Sequence, residues 1–392
     1  MEPNQIIANL SYMAKRTVMP ETLPGALALA GKMIGEAQPA GASLFSGSAG
    51  TLYYYFHGYR LTGRASYLEK IIRLAPELMP EAFNDEAADI SLATGIAGMC
   101  SVLHLLHEQK LIKTLPPEAL RTDEYLFTSC MESVNGNGFS FTSGTAGIAS
   151  YFSKRGESAL MRKYLAEMVQ KLLDTELAED TTTEIDFTLW QGLCGKLSLL
   201  FRLLQHFPAK VNVRMRLLHY LHILRNHILQ IDAGLGRFSF FPVTADEKTG
   251  LVHAPNYLFW EAGDLPVVQL LYKAYDVFGD DDYKKLAGLA GSYTLTRRSA
   301  EETLVETPCF SSGACGTAMM YRLLEKVSGV SNYNKGYTYW MNRSVALFGE
   351  QAIQNGFAHR EHSLANGLTG LALGWMDHLY SDKQDWTYIL MP

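Results

Sequence analysis

LFSGSAGTLYYYFHGYRLTG, residues Leu44–Gly63, is the pattern that the rest of the chain repeats. A polar residue, a Gly, two residues of which the second is small, and another Gly open an apolar run with helical spacing. Six further copies follow: SLATGIAGMCSVLHLL (Ser91–Leu106), SFTSGTAGIASYF (Ser140–Phe152), TLWQGLCGKLSLLFRLL (Thr188–Leu204), FWEAGDLPVVQLLYKAY (Phe259–Tyr275), FSSGACGTAMMYRLL (Phe310–Leu324) and HSLANGLTGLALGWMDHL (His362–Leu379). The leading glycines Gly47, Gly95, Gly144, Gly192, Gly263, Gly313 and Gly367 stand 48, 49, 48, 71, 50 and 54 residues apart. Self-similarity at a fixed period marks a repeat architecture. The one long interval marks an insertion, and the fifth copy carries Pro266 at its second Gly position.

Each copy predicts a helix start. The leading Gly allows close backbone approach without a Cβ, and the Gly/small spacing leaves a flat face for a neighbouring helix. The Ser, Thr or Asn before the Gly is expected to cap the first turn, and an apolar stripe follows. Between the copies lie amphipathic segments at Arg64–Met79, Pro116–Met131, Glu157–Glu176, Val211–Ile231, Asp280–Arg298 and Tyr333–Gln351. Residues 1–40 read as one or two helices broken near Pro20–Pro24, and Asn135–Gly138 reads as a turn. Residues 236–256, centred on DEKTG, read as a β-hairpin or ordered loop. The tail, Asp382–Pro392, is expected to fold over a surface. The expectation is all-α: one domain over 1–392, an α/α toroid of seven inner and seven outer helices. Seven helix N-termini, with their positive dipole ends, would then share one rim.

Hydrophobic residues make up 47% of the chain, enough for a large core. The net charge of −6, with both signs mixed along the chain, argues against nucleic-acid binding. The N-terminus lacks a signal-like apolar segment and no run is long enough to span a bilayer, so no membrane partner is expected. Five cysteines (Cys100, Cys130, Cys194, Cys309, Cys315) form no CxxC and fit a reducing cytoplasm.

The sevenfold copy number, the spacing near 48 and the final SLANGLTGLALGWMDHL together resemble the lanthionine synthetase C-like (LanC-like) family, over almost the whole chain. The resemblance implies the α/α toroid, and an activity in modified-peptide biosynthesis: closing thioether rings by adding a cysteine thiol to a dehydroamino acid. It further implies a zinc ion held by two Cys and one His, with an Asp and a second His moving protons. This sequence departs at each of those positions. Where the family has a motif like SWCYGDPG, this chain has LFWEAGDLP, with Glu261 at the Cys; where it has CHG, Ser311 and Ser312 stand. Ser140 stands at the Asp and Gln191 at the second His. The reading is therefore a LanC-like protein without the family zinc, with no other cofactor implied, that binds or holds a peptide or a partner modifying enzyme.

Other residues are candidates on their own chemistry. Glu261 and Asp264, three apart, would share a face as an acid/base pair, or else serve as helix-start compensation. His362 joins them as a catalytic candidate. Cys309 and Cys315 are displaced metal ligands, a nucleophile or plain core. His359 and His362, an HxxH pair, offer two imidazoles for a rebuilt metal site with a nearby Cys, or loop and cap roles; His253 is of the same kind. Trp190, Gln191, Trp260, Ser311, Ser312 and Asn366, with Phe310, are placed near the cavity mouth, as ligand contacts or as packing. A second function class stays open: a carbohydrate-active toroid using Glu261 and Asp264, since glycosidases set two carboxylates about 5–10 Å apart.

Overall fold

The computed structural model describes residues 22–78, 89–115, 117–137, 139–155, 158–178, 184–207, 211–354, 356–380 and 385–392. In chain order come α1 (Leu23–Glu36), α2 (Ser48–Thr62), α3 (Ala65–Leu74), α4 (Ile96–Glu108), α5 (Pro117–Asn137), α6 (Thr145–Lys154) and α7 (Ala159–Ala178). β1 (Glu184–Asp186), α8 (Leu193–His206), α9 (Val211–Asn226), β2 (Thr244–Asp246) and β3 (Val252–His253) follow. Last come α10 (Asp264–Phe278), α11 (Asp281–Thr294), the short α12 (Ala300–Thr303), α13 (Ala314–Ser328), α14 (Tyr333–Ile353), α15 (Leu368–Tyr380) and a 3-10 segment, Asp385–Leu390.

The seven inner helices, six with GxxG and α10 with Gly263 and Pro266, close a ring: α2 packs on α4, α4 on α6, α6 on α8, α8 on α10, α10 on α13, α13 on α15, and α15 back on α2. Outside them α3 packs on α2, α5 on α4 and α6, α7 on α6, α9 on α8, α11 on α10, α14 on α13, and α1 on α15. The α/α toroid expected from the repeat is the observed fold. The earliest described helix completes the outer layer by covering the last inner helix. Pro24 sits in the first turn of α1, where its missing N–H costs nothing, so this helix starts within the stretch Pro20–Pro24 at which a break was expected. Residues 1–21 lie outside the described residues. Helix α5 runs through Asn135 to Asn137, past the expected turn, and α9 stops at Asn226, short of Ile231.

The second Gly of five copies, Gly50, Gly98, Gly147, Gly316 and Gly370, is seated against a side chain of the neighbouring copy, which explains why the repeat exists. At Gly98 a Cβ would lie 2.1 Å from the Leu92 carbonyl and 2.7 Å from the Leu44 Cβ of the preceding copy. The same seat recurs, with Leu92 against Gly147, Trp260 against Gly316, Phe310 against Gly370, and Leu364 against Gly50 to close the circle. Backbone hydrogen bonds join the loops above these seats: Phe45 N to Ala93 O, Ala93 N to Thr142 O, Phe141 N to Trp190 O, Leu189 N to Glu261 O, Ser311 N to Ala365 O, and Leu364 N to Phe45 O. The rim is therefore a ring of interlocked loops. The expected side-chain caps from the residue before each leading Gly are not formed. The Gly itself is the N-cap in α2, α4, α6, α8 and α13, with no side-chain bond. Instead, the hydroxyl four residues before the Gly ties the loop: Ser43, Ser91, Ser140, Thr188 and Ser363 accept from the N–H of Ser46, Thr94, Ser143, Gln191 and Asn366.

The insertion is a hairpin, as the sequence allowed: β2 pairs antiparallel with β3 around a turn in which Asp246 accepts from Lys248 N and Thr249 N. β1 adds a third strand on the other edge of β2, which three residues of EID did not signal. The tail does not lie over an outer surface. Trp386 and Leu390 are 1% and 0% exposed. Tyr53 Oη donates to Trp386 O (2.7 Å), Trp190 Nε1 to Leu390 O (3.0 Å) and Ser198 Oγ to Pro392 O (3.1 Å). Lys154 Nζ and Arg202 Nη2 both donate to Met391 O. The tail thus lies among inner helices of the ring, held largely through its main-chain carbonyls, where burial of each large apolar side chain contributes about 1.5–3 kcal/mol.

Candidate functional site

Glu261 lies in the loop before α10, not on the helix, because the chain turns at Gly263 (φ 92°) and the helix starts at Asp264. A Cβ at Gly263 would stand 1.9 Å from Tyr257 O, so only Gly permits that turn. The face-sharing argument for Glu261 and Asp264 therefore fails. Asp264 is fully buried and its oxygens are occupied: Oδ1 accepts from Phe240 N and Phe241 N at 3.0 Å, and Oδ2 from Arg297 Nη1 at 2.7 Å. Arg297, 1% exposed, also donates to Glu302 O and Asn256 O. The pair is an anchor that fixes the insertion to the start of α10, and Asp264 offers no free oxygen for acid/base work.

Glu261 itself is half-buried at the rim, and its carboxylate accepts from Ser311 Oγ at 2.5 Å. Burial raises its pKa, and the Ser311 hydrogen bond opposes the rise. Two positions 50 residues apart, singled out by register alone, are thus in direct contact. Ser312 is half-buried and Gln191 and Asn366 are exposed; Gln191 Nε2 hydrogen-bonds Thr142 Oγ1. Ser140 serves the loop tie shared with four other copies, and it also meets the hydroxyls of Thr142 and Ser143.

The aromatic candidates form the floor beneath this rim. Trp260 and Phe310 are fully buried with ring centroids 4.6 Å apart; Phe310 meets Trp386 at 4.9 Å, and Trp190, 7% exposed, meets Phe45 at 5.1 Å. Of the two roles left open for them, ligand contact or packing, their burial between neighbouring repeats is that of packing.

The HxxH pair does not converge. His359 is exposed, at φ 65°, whereas His362 is buried with Nδ1 hydrogen-bonded to Thr51 Oγ1 at 2.8 Å. Burial lowers the His362 pKa and favours the neutral ring. Cys309 donates to Asn366 O (3.2 Å), and burial pushes its thiol up to about 11; Cys315 is fully buried and its thiol is pushed up further. His253 is exposed on β3. Among the described residues, no three His, Cys, Asp or Glu side chains gather closely enough to hold a metal ion. The group at the expected zinc position, one carboxylate bonded to a hydroxyl with a second hydroxyl beside it, does not fit a zinc that activates thiols. It supplies neither thiolate nor imidazole.

Sequence reading missed the tail's place in the ring, Arg297, and a cluster of cations on inner helices. A signal was there: Lys154, Arg202 and Lys273 interrupt the apolar stripes of SYFSKR, SLLFRLL and LLYKAY, where a charge needs a reason to be buried.

The chain was also compared with known proteins. A family profile described as "Lanthionine synthetase C-like protein" matches residues 38–391. No curated protein matches. Among solved structures, one titled "Nisin cyclase" superposes with a TM-score of 0.71 at 13% identity, covering 94% of this chain and 98% of that one. At that identity the likeness carries the fold alone, and the family profile carries the membership: the chain belongs to the lanthionine synthetase C-like family.

Proposed function

We propose that this protein acts in lanthipeptide-type peptide modification by holding a peptide, or a modifying enzyme bearing one, at the GxxG rim, without zinc-dependent thioether closure. The observation that carries this reading is the Glu261–Ser311 hydrogen bond. It joins the two positions at which the family resemblance calls for cysteine ligands. A carboxylate that accepts from a serine hydroxyl can also accept from a peptide N–H, but it cannot stand in for a pair of thiolates. Gln191, Ser312 and Asn366 add neutral hydrogen-bonding groups around it, and the inner-helix N-termini favour carbonyl oxygens and anions there. The carbohydrate reading loses its second carboxylate, because Asp264 is bound to Arg297.

Two measurements test it. The first is elemental analysis of untagged protein, beside the variant Glu261→Cys/Ser311→Cys/Ser312→His. Wild type without stoichiometric zinc and a variant that gains it are expected; zinc in the wild type sinks the reading. The second titrates a peptide carrying both a dehydroamino acid and a cysteine. Binding without loss of free thiol is expected, whereas catalytic thiol consumption overturns the proposal.

A further inference from the structure

We propose that a second site, at the C-terminal ends of inner helices α8, α10 and α13, binds a peptidic carboxylate: a ligand with an amide and a carboxylate a few ångströms apart. A cavity of about 790 Å³ opens there, away from the GxxG rim. It runs from Ser198 and Gln269 to Gln205, Val277 and Lys326 near the helix ends, with the tail residues Tyr388 and Met391 on its wall. It is separate from the Glu261–Ser311 pair and does not rest on the reading of that pair.

Two groups on one face of α10 call for a ligand. Gln269 is 1% exposed, and neither its amide oxygen nor its amide nitrogen has a hydrogen-bond partner. A buried amide left unsatisfied costs about 1–3 kcal/mol, so such groups are nearly always paired. One turn further on, Lys273 lines the same cavity, and no hydrogen bond or ion pair among the described residues engages it. Burial and the neighbouring Arg202 lower its pKa to about 8. The other charges facing it are spoken for or lie at the mouth. Arg202 donates to Ser150 Oγ and Met391 O, and Asp385 is held by Arg60. Arg214 lies over Phe278, while Asp276 and Lys326 are exposed. Compensation of helix ends does not account for Lys273, which lies above the last turn of α10. A peptide unit matches a carboxamide donor for acceptor, and a carboxylate matches the ammonium. Residues i and i+4 place these two groups about 5–6 Å apart on the helix face. Phe201, Leu204 and Leu323 supply apolar wall for a side chain.

The test is calorimetric titration of the full chain with N-acetylglycyl-leucine, its C-terminal amide, and inorganic phosphate. The acid should bind, the amide about tenfold more weakly, and phosphate more weakly than the acid. Lys273→Met and Gln269→Leu should each weaken the acid about tenfold while keeping the far-UV spectrum of wild type. The wild-type comparison of acid with amide stands even where a variant does not fold. Absence of binding at millimolar acid, equal affinity for acid and amide, phosphate binding as tight as the acid, or folded variants with wild-type affinity would each overturn the proposal.

Discussion

Replacing Asp264 with Ala tests whether this carboxylate is an anchor or a catalyst. Its Oδ2 lies 2.7 Å from Arg297 Nη1, and the two side chains are 0% and 1% exposed. Taking the carboxylate away leaves a buried guanidinium without its counter-charge, a loss of about 3–5 kcal/mol. It also orphans the N–H groups of Phe240 and Phe241, which pushes the loss toward the upper end of that range. Arg297 keeps the carbonyls of Asn256 and Glu302, so the fold should weaken rather than disappear. The double variant Asp264→Leu/Arg297→Met removes both charges and should recover at least about 2 kcal/mol of the single loss. Urea unfolding, followed by tryptophan fluorescence and far-UV circular dichroism, gives all three values. Glu261→Ala, at a half-buried rim position with one hydroxyl partner, is the control and should change stability by less than about 1 kcal/mol. Wild-type stability in Asp264→Ala, or strict additivity in the double variant, would refute the anchor.

Three further outcomes follow from the same structure. Gly147→Ala would set a Cβ 2.2 Å from Phe141 O and 2.9 Å from the Leu92 Cβ, so it should cost about 1–3 kcal/mol in the same urea assay; a neutral effect would mean the loops are not interlocked. Trp386→Ala removes a tail side chain that is 1% exposed and packed on Phe310, and should cost about 3–5 kcal/mol; increased protease cleavage of the tail provides a second readout. Glu261 has a raised folded pKa, so its contribution is fully present below the unfolded carboxylate value and is lost as pH rises through the folded one. Glu261→Gln should therefore be at least as stable as wild type at pH 7, with any advantage vanishing below about pH 4; an advantage that grows toward acid pH would contradict the sign.

The seven copies, six of them GxxG, by themselves determined the inner helices, their number and their common rim, since a Gly with a small residue behind it is a local steric requirement that survives in the letters. The family resemblance followed from the same register and set Glu261 and Ser311 at two positions of one implied ligand set, but their hydrogen bond is seen only in the structure. Only the tertiary structure decided which charges are buried and what they face. Asp264 became an anchor because Arg297, 33 residues on, folds back on it, and no local pattern encodes that partner. HxxH in AHREHSLANG suggested convergence, but the positive φ at His359 leaves that ring exposed while His362 is buried against Thr51. The aromatic tail read as a covering strip, yet it lies within the ring, because a closed ring of seven helices leaves an axis that apolar side chains must fill. Gln269 and Lys273 interrupt the apolar stripe of α10, but spacing alone cannot tell a core face from the wall of a cavity.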